Sequence, residues 1–156
     1  MKFSTREDIN APIEEVFKAL CAFEIYERAA MRRGAEVRRR KEPEIAGLGT
    51  TWDARFVMRG KERDVTLEVV KFDQPDFMEI AMKSKAFTGA IEFELIALSR
   101  NRTRLVIGFD VRPLTLPARL LLQSLKLTKS TLDQKYRMRV STFISVMQER
   151  LAGNIA

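Results

Sequence analysis

The chain has 156 residues, a formal net charge of +7, one cysteine and no histidine. This length suits one domain, and its 46% hydrophobic and 31% charged residues are typical of a soluble globular protein. Without histidine, catalytic triads that use it are excluded and zinc chemistry is strongly disfavoured. A single cysteine, Cys21, excludes an intrachain disulfide, and we interpret it as a core residue. We therefore predict that the protein has no metal site and no cofactor, and we assign no catalytic residue.

The N-terminal segment has no apolar run long enough for a signal peptide, and Leu120–Leu122 is too short to cross a bilayer. These features predict a cytoplasmic protein. We expect a single domain over residues 1–152, followed by a short C-terminal tail over 153–156.

The first elements are a strand and two helices. Residues 2–9 alternate between two faces, which predicts a strand. Residues 12–21 have apolar side chains at helical spacing, with Pro12 in the first turn and Asn10 as a good N-cap type. Residues 23–33 predict a second helix, for which Gly34 is well placed as the C-cap.

Six further strands are predicted at 36–41, 51–59, 62–72, 77–84, 87–98 and 104–112. The strand 36–41 is very polar, which suits the edge of a sheet. Residues 42–49 contain Pro43, Gly47 and Gly49 and predict a loop.

The C-terminal region predicts one long helix over residues 116–151. Its buried stripe consists of Leu125, Leu132, Tyr136, Val140, Phe143, Met147 and Leu151. Pro113 and Pro117 leave open a separate turn over residues 116–122. Hairpin-connected strands with few helices indicate an antiparallel α+β domain of order β-α-α-β6-α.

Four motifs in this order resemble the START-like, or SRPBCC, superfamily. They are the strand-to-helix segment Ile9-Asn10-Ala11-Pro12, the glycine loop Gly47-Leu48-Gly49 before Trp52, the turn Phe72-Asp73-Gln74-Pro75, and the long C-terminal helix. The resemblance extends over nearly the whole chain. It implies a helix-grip fold, in which a curved seven-stranded antiparallel sheet wraps around the C-terminal helix.

The resemblance also implies a cavity between sheet and helix that takes hydrophobic molecules such as lipids, quinones or polyketides. Alternation along the strands predicts which side chains face inward. The candidate ligand-binding residues are Trp52, Phe56, Met58, Arg63, Leu67, Ile80, Met82, Phe93, Ile107, Phe109 and Tyr136.

No aspartate or glutamate is clearly placed on this inner face, so the sequence favours a binding or transport protein over an enzyme. Two alternatives stay open. One is an enzyme of the cyclase, dehydratase or hydrolase kind that uses the same cavity. The other is a surface module whose basic segment, residues 28–41, docks on RNA, the ribosome or an anionic membrane. Aromatic residues, which would stack on bases, are not interleaved with these charges, so the sequence disfavours nucleic acid as the partner. Weak contact with an anionic membrane remains an open alternative. Ligand identity and oligomeric state are left open.

Overall fold

A computed structural model describes residues 1–41 and 47–155. Its elements are β1 (Lys2–Ile9), α1 (Ile13–Leu20), α2 (Phe23–Arg32), β2 (Glu36–Lys41), β3 (Thr51–Met58), β4 (Lys61–Asp73), β5 (Phe77–Lys83), β6 (Phe87–Ser99), β7 (Arg102–Pro113), α3 (Leu116–Lys126) and α4 (Lys129–Ile155). The predicted α+β class and the seven strands are confirmed. Most of the predicted loop 42–49 lies outside the described residues.

The seven strands form one antiparallel sheet in the order β1-β7-β6-β5-β4-β3-β2. The charged strand β2 lies at an edge, as its composition predicts. Apolar side chains form ladders across the inner face, one of which runs through Phe3, Phe109, Ile91, Ile80 and Val69. This continuous apolar surface must be covered by helices.

The junction between β1 and α1 is bonded to the start of β7. Ile9 and Ala11 are almost fully buried, and the hydroxyl of the fully buried Thr103 donates to the Ala11 carbonyl at 2.8 Å. The prediction that Asn10 caps α1 is wrong, because the N-cap is Pro12 and no side chain caps the helix. Asn10 is exposed instead, since Pro12 already supplies the extended backbone at the helix start.

Gly34 ends α2 as predicted. Its φ of +92° is readily adopted only without a Cβ, and its N–H donates to the Met31 carbonyl at 3.0 Å. The N–H of Ala35 donates to the Ala30 carbonyl at 3.1 Å. These two bonds form a Schellman motif, which satisfies carbonyls at the end of the helix.

Gly47 lies directly against the ring of Phe72. A Cβ at Gly47 would lie 2.7 Å from that ring, and the residue has a φ of +130°. Phe72 in turn packs edge-on against the fully buried Phe17 of α1, with ring centroids 5.2 Å apart. The glycine therefore permits close packing between the loop, β4 and α1.

The C-terminal region is two helices, α3 and α4, rather than one helix over residues 116–151. The helices separate at residues 127–128, where the Thr128 hydroxyl donates to the Leu125 carbonyl at 3.2 Å and Leu127 is 87% exposed. A side chain that bonds a nearby carbonyl competes with the helical backbone pattern. The long α4 buries Val140, Ile144 and Met147. No helix within the described residues is long and apolar enough to cross a membrane.

We predict that Gly47→Ala destabilises the fold by about 3 kcal/mol, because it adds a clash with Phe72 to an unfavourable positive φ. Chemical denaturation monitored by circular dichroism measures this change. Gly49→Ala is the matched control, since Gly49 has a φ of +89° but open space at its Cβ position. We expect the control to cost only about 1–2 kcal/mol. Equal losses of unfolding free energy in the two variants would show that the close contact between Gly47 and Phe72 does not constrain residue 47.

Candidate ligand cavity

A cavity of about 540 Å³ lies between the inner face of the sheet and helices α2 and α4. Apolar side chains line most of it. The lining residues are Phe23, Tyr26, Glu27, Ala30, Val37, Trp52, Ala54, Leu67, Ile80, Ile91, Phe93, Ile107, Phe109, Tyr136, Arg139, Val140 and Phe143. Its size falls within the range of small-molecule sites, which is roughly 300–1,000 Å³.

Part of the predicted ligand-binding set lines this cavity. These residues are Trp52, Leu67, Ile80, Phe93, Ile107, Phe109 and Tyr136. Their contact with a ligand stays a prediction.

Four predicted residues do not line the cavity, namely Phe56, Met58, Arg63 and Met82. The first three belong to the β3–β4 hairpin, where Phe56 is opposite Arg63 and Met58 is 41% exposed. Met82 lies opposite Gly89, and its methyl group packs over that residue. Side-chain alternation assigns a face correctly, but it does not say which part of the face the helices enclose.

The main residue that the sequence analysis missed is Glu27, a carboxylate in the cavity wall. Its Oε1 accepts hydrogen bonds from Trp52 Nε1 at 2.9 Å and from Arg39 Nε at 2.8 Å. Arg39 also approaches the same oxygen through a terminal nitrogen at 2.6 Å. Glu27 lies one helical turn after Phe23, so the spacing of α2 contains the signal that places it on the inner face.

The Glu27–Arg39–Trp52 cluster joins α2 to the two outermost strands at the β2 edge of the sheet. Glu27 belongs to α2, Arg39 to β2 and Trp52 to β3. The indole ring of Trp52 also packs edge-on against Phe23, with centroids 5.0 Å apart. Hydrogen bonds and ring packing together fix the orientation of Trp52 at the cavity wall.

Tyr136 secures the other side of the cavity. Its hydroxyl donates to the Ile107 carbonyl at 2.7 Å, and its ring lies 5.4 Å from that of Phe3. Burial raises the pKa of Tyr136 further above its ordinary alkaline value, so the phenol is protonated at neutral pH. This hydroxyl therefore holds α4 against β7 and is already engaged as a donor.

Neither a reactive thiol nor a metal-binding cluster is associated with the cavity. Burial raises the pKa of the Cys21 thiol to about 11, so the nucleophilic thiolate is scarce at neutral pH. Across residues 1–41 and 47–155, no group of three or more cysteine, aspartate or glutamate side chains could hold a metal ion.

The basic segment 28–41 is partly neutralised within the fold. Arg39 pairs with Glu27, and Arg40 pairs with Asp53 at 2.9 Å. Arg28, Arg32 and Arg38 are exposed. The segment therefore presents less free positive charge than its sequence suggests.

We predict that Glu27→Gln destabilises the protein by about 1–2 kcal/mol and alters the fluorescence of Trp52. The substitution keeps the size of the side chain but removes the charge beside Arg39, in a pair that is about one-fifth exposed. Because Trp52 is the only tryptophan, its emission reports this site directly. Glu24→Gln is the control, since Glu24 is 64% exposed and 3.8 Å from Arg39. We expect a change below about 0.5 kcal/mol for that control. Equal effects in both variants would contradict a specific role for Glu27.

Comparisons with known proteins support the fold. No protein-family model matches the chain, and no curated protein matches it. Among solved structures, the ZhuI aromatase/cyclase from Streptomyces sp. R1128 matches with a TM-score of 0.65 and 14% identity, covering 97% of this chain and 95% of that chain.

Two further structures are similar at low identity. A START superfamily protein from Mycobacterium smegmatis has a TM-score of 0.57 and 12% identity, over 88% of this chain and 97% of that one. Ara h 8.0201 has a TM-score of 0.63 and 12% identity, over 98% of both chains. With the seven-stranded sheet and the long C-terminal helix, these similarities show that this chain has the START-like, or SRPBCC, helix-grip fold.

Proposed function

We propose that this protein binds or transports a hydrophobic small molecule, such as a lipid, quinone or polyketide-like compound, in the cavity between the sheet, α2 and α4. The main support for this proposal is the wall of the cavity, which is built almost entirely from aliphatic and aromatic side chains. The similarity to a START superfamily protein and to an aromatase/cyclase is consistent with it.

The hydrophobic effect supplies the driving force for such binding. Transferring apolar surface out of water contributes about 25 cal/mol per Å². The polar groups in the wall are few, and those of Glu27, Trp52 and Tyr136 already have partners within the protein. A ligand therefore gains most of its affinity from apolar contact.

The enzyme alternative has one carboxylate in the described wall of this cavity, Glu27. Proton transfer requires a carboxylate that can reach the substrate. Oε1 of Glu27 already accepts hydrogen bonds from both Arg39 and Trp52. This engagement favours a structural role for Glu27 and hence favours binding over catalysis.

We predict that Ala54→Phe weakens the binding of a neutral hydrophobic probe by about tenfold. Ala54 lines the cavity, so the added ring occupies space that the probe needs. Fluorescence titration with N-phenyl-1-naphthylamine, which emits strongly in apolar surroundings, measures the dissociation constant.

Ala97→Phe provides the matched control, because Ala97 is exposed on β6 and does not line the cavity. Its affinity for the probe should equal that of the unmodified protein, and circular dichroism should show both variants folded. Failure of the unmodified protein to bind the probe, or equal affinity in both variants, would overturn the proposed function. Native mass spectrometry of gently purified protein then gives the mass of any retained ligand.

A further inference from the structure

A second groove, of about 580 Å³, lies between α2 and α4 on the side away from the sheet. Its apolar lining includes Ile25, Val146 and Met147, as well as Met138, which is 69% exposed. We call it the outer groove. The same two helices, α2 and α4, thus border both the outer groove and the cavity.

The outer groove and the cavity share three lining residues, Tyr26, Arg139 and Phe143. The rings of Tyr26 and Phe143 lie with centroids 5.6 Å apart, one on each helix. This aromatic pair therefore lies at the boundary between the two spaces. Arg139, one turn before Phe143 on α4, borders both spaces. A molecule that extends from one space to the other passes this point.

The charge around the outer groove has one sign. Arg33, Lys135, Arg139 and Arg150 line it, and no acidic side chain does. None of these four cations forms an ion pair with a carboxylate of residues 1–41 and 47–155, whereas Arg39 and Arg104 do. Clustered cations without counter-ions create a positive potential that favours an anion.

The cavity itself shares only one of these cations, Arg139, which borders both spaces. Its one carboxylate, Glu27, is paired with Arg39. An apolar cavity thus lies next to a cationic groove, and this arrangement complements a molecule with an apolar chain and an anionic head group.

We propose that the ligand of this cavity is a single-chain amphiphile with an anionic carboxylate or phosphate head group. Its chain occupies the cavity and its head group lies beside Arg139, which borders both spaces. The contacting rings of Tyr26 and Phe143 must move apart where the chain crosses between the two spaces. This inference rests on the proposed function, because it names the chemical class of the ligand for the same cavity.

The test compares ligands that differ only in the head group. Decanoate, decyl phosphate and decan-1-ol each compete with N-phenyl-1-naphthylamine in the unmodified protein. We expect both anions to bind more than about fivefold tighter than the alcohol, and we expect this preference to shrink as salt is raised. The comparison between decanoate and decyl phosphate distinguishes the two sources of the anionic group.

A charge-neutralising double variant, Lys135→Gln with Arg139→Gln, should reduce the preference for anions over the alcohol by about fivefold. The matched control is Arg119→Gln with Lys126→Gln on α3, which removes the same charge away from both spaces. The control should retain the preference of the unmodified protein. Using the ratio of two affinities within each variant separates head-group recognition from a general loss of binding.

The possible outcomes separate this inference from the proposed function. If the probe binds but decan-1-ol competes as well as the anions, the inference is overturned and the proposed function stands. The same holds if both double variants change the preference equally. If no hydrophobic probe binds the unmodified protein, both are overturned.

Discussion

The structure depends on one constraint, the need to cover a wide apolar sheet face with narrow helices. Seven strands at about 4.8 Å spacing are about 29 Å across, whereas a helix with its side chains is about 10 Å wide. Helix α4 covers one part of the face, α1 fills the space near Phe72, and α2 reaches the β2 edge. The space left between them is the cavity, and its apolar walls follow directly from the inner faces of the elements around it.

Where the helices meet the sheet, a few polar contacts fix their positions. Thr103 holds the β1–α1 junction, Tyr136 holds α4 to β7, and Glu27 holds α2 to Arg39 and Trp52. Each bond is buried or half-buried, where an unpaired polar group would be costly. Packing alone would tend to close the cavity. These contacts hold the helices in place and so keep the cavity open.

The distribution of charge separates the two sides of α2 and α4. On the inner side, Glu27 and Arg39 neutralise each other at the sheet edge. On the outer side, cations such as Arg33 and Lys135 have no described carboxylate partner. Part of the unpaired positive charge of the described residues therefore borders the outer groove between α2 and α4.

The sequence by itself determined the seven strands, the edge position of β2 and the glycine that ends α2, Gly34, because side-chain period and the φ preference of glycine are local properties. It also indicated which side chains face inward. Tertiary structure alone decided which of them enclose space: Leu67 and Ile80 line the cavity, whereas Phe56 and Met82 on the same face do not. It also placed Glu27 beside Trp52, 25 residues away in the chain, and separated α3 from α4. These outcomes depend on where the helices cross the sheet, which is set by packing between distant segments and is not encoded in local periodicity.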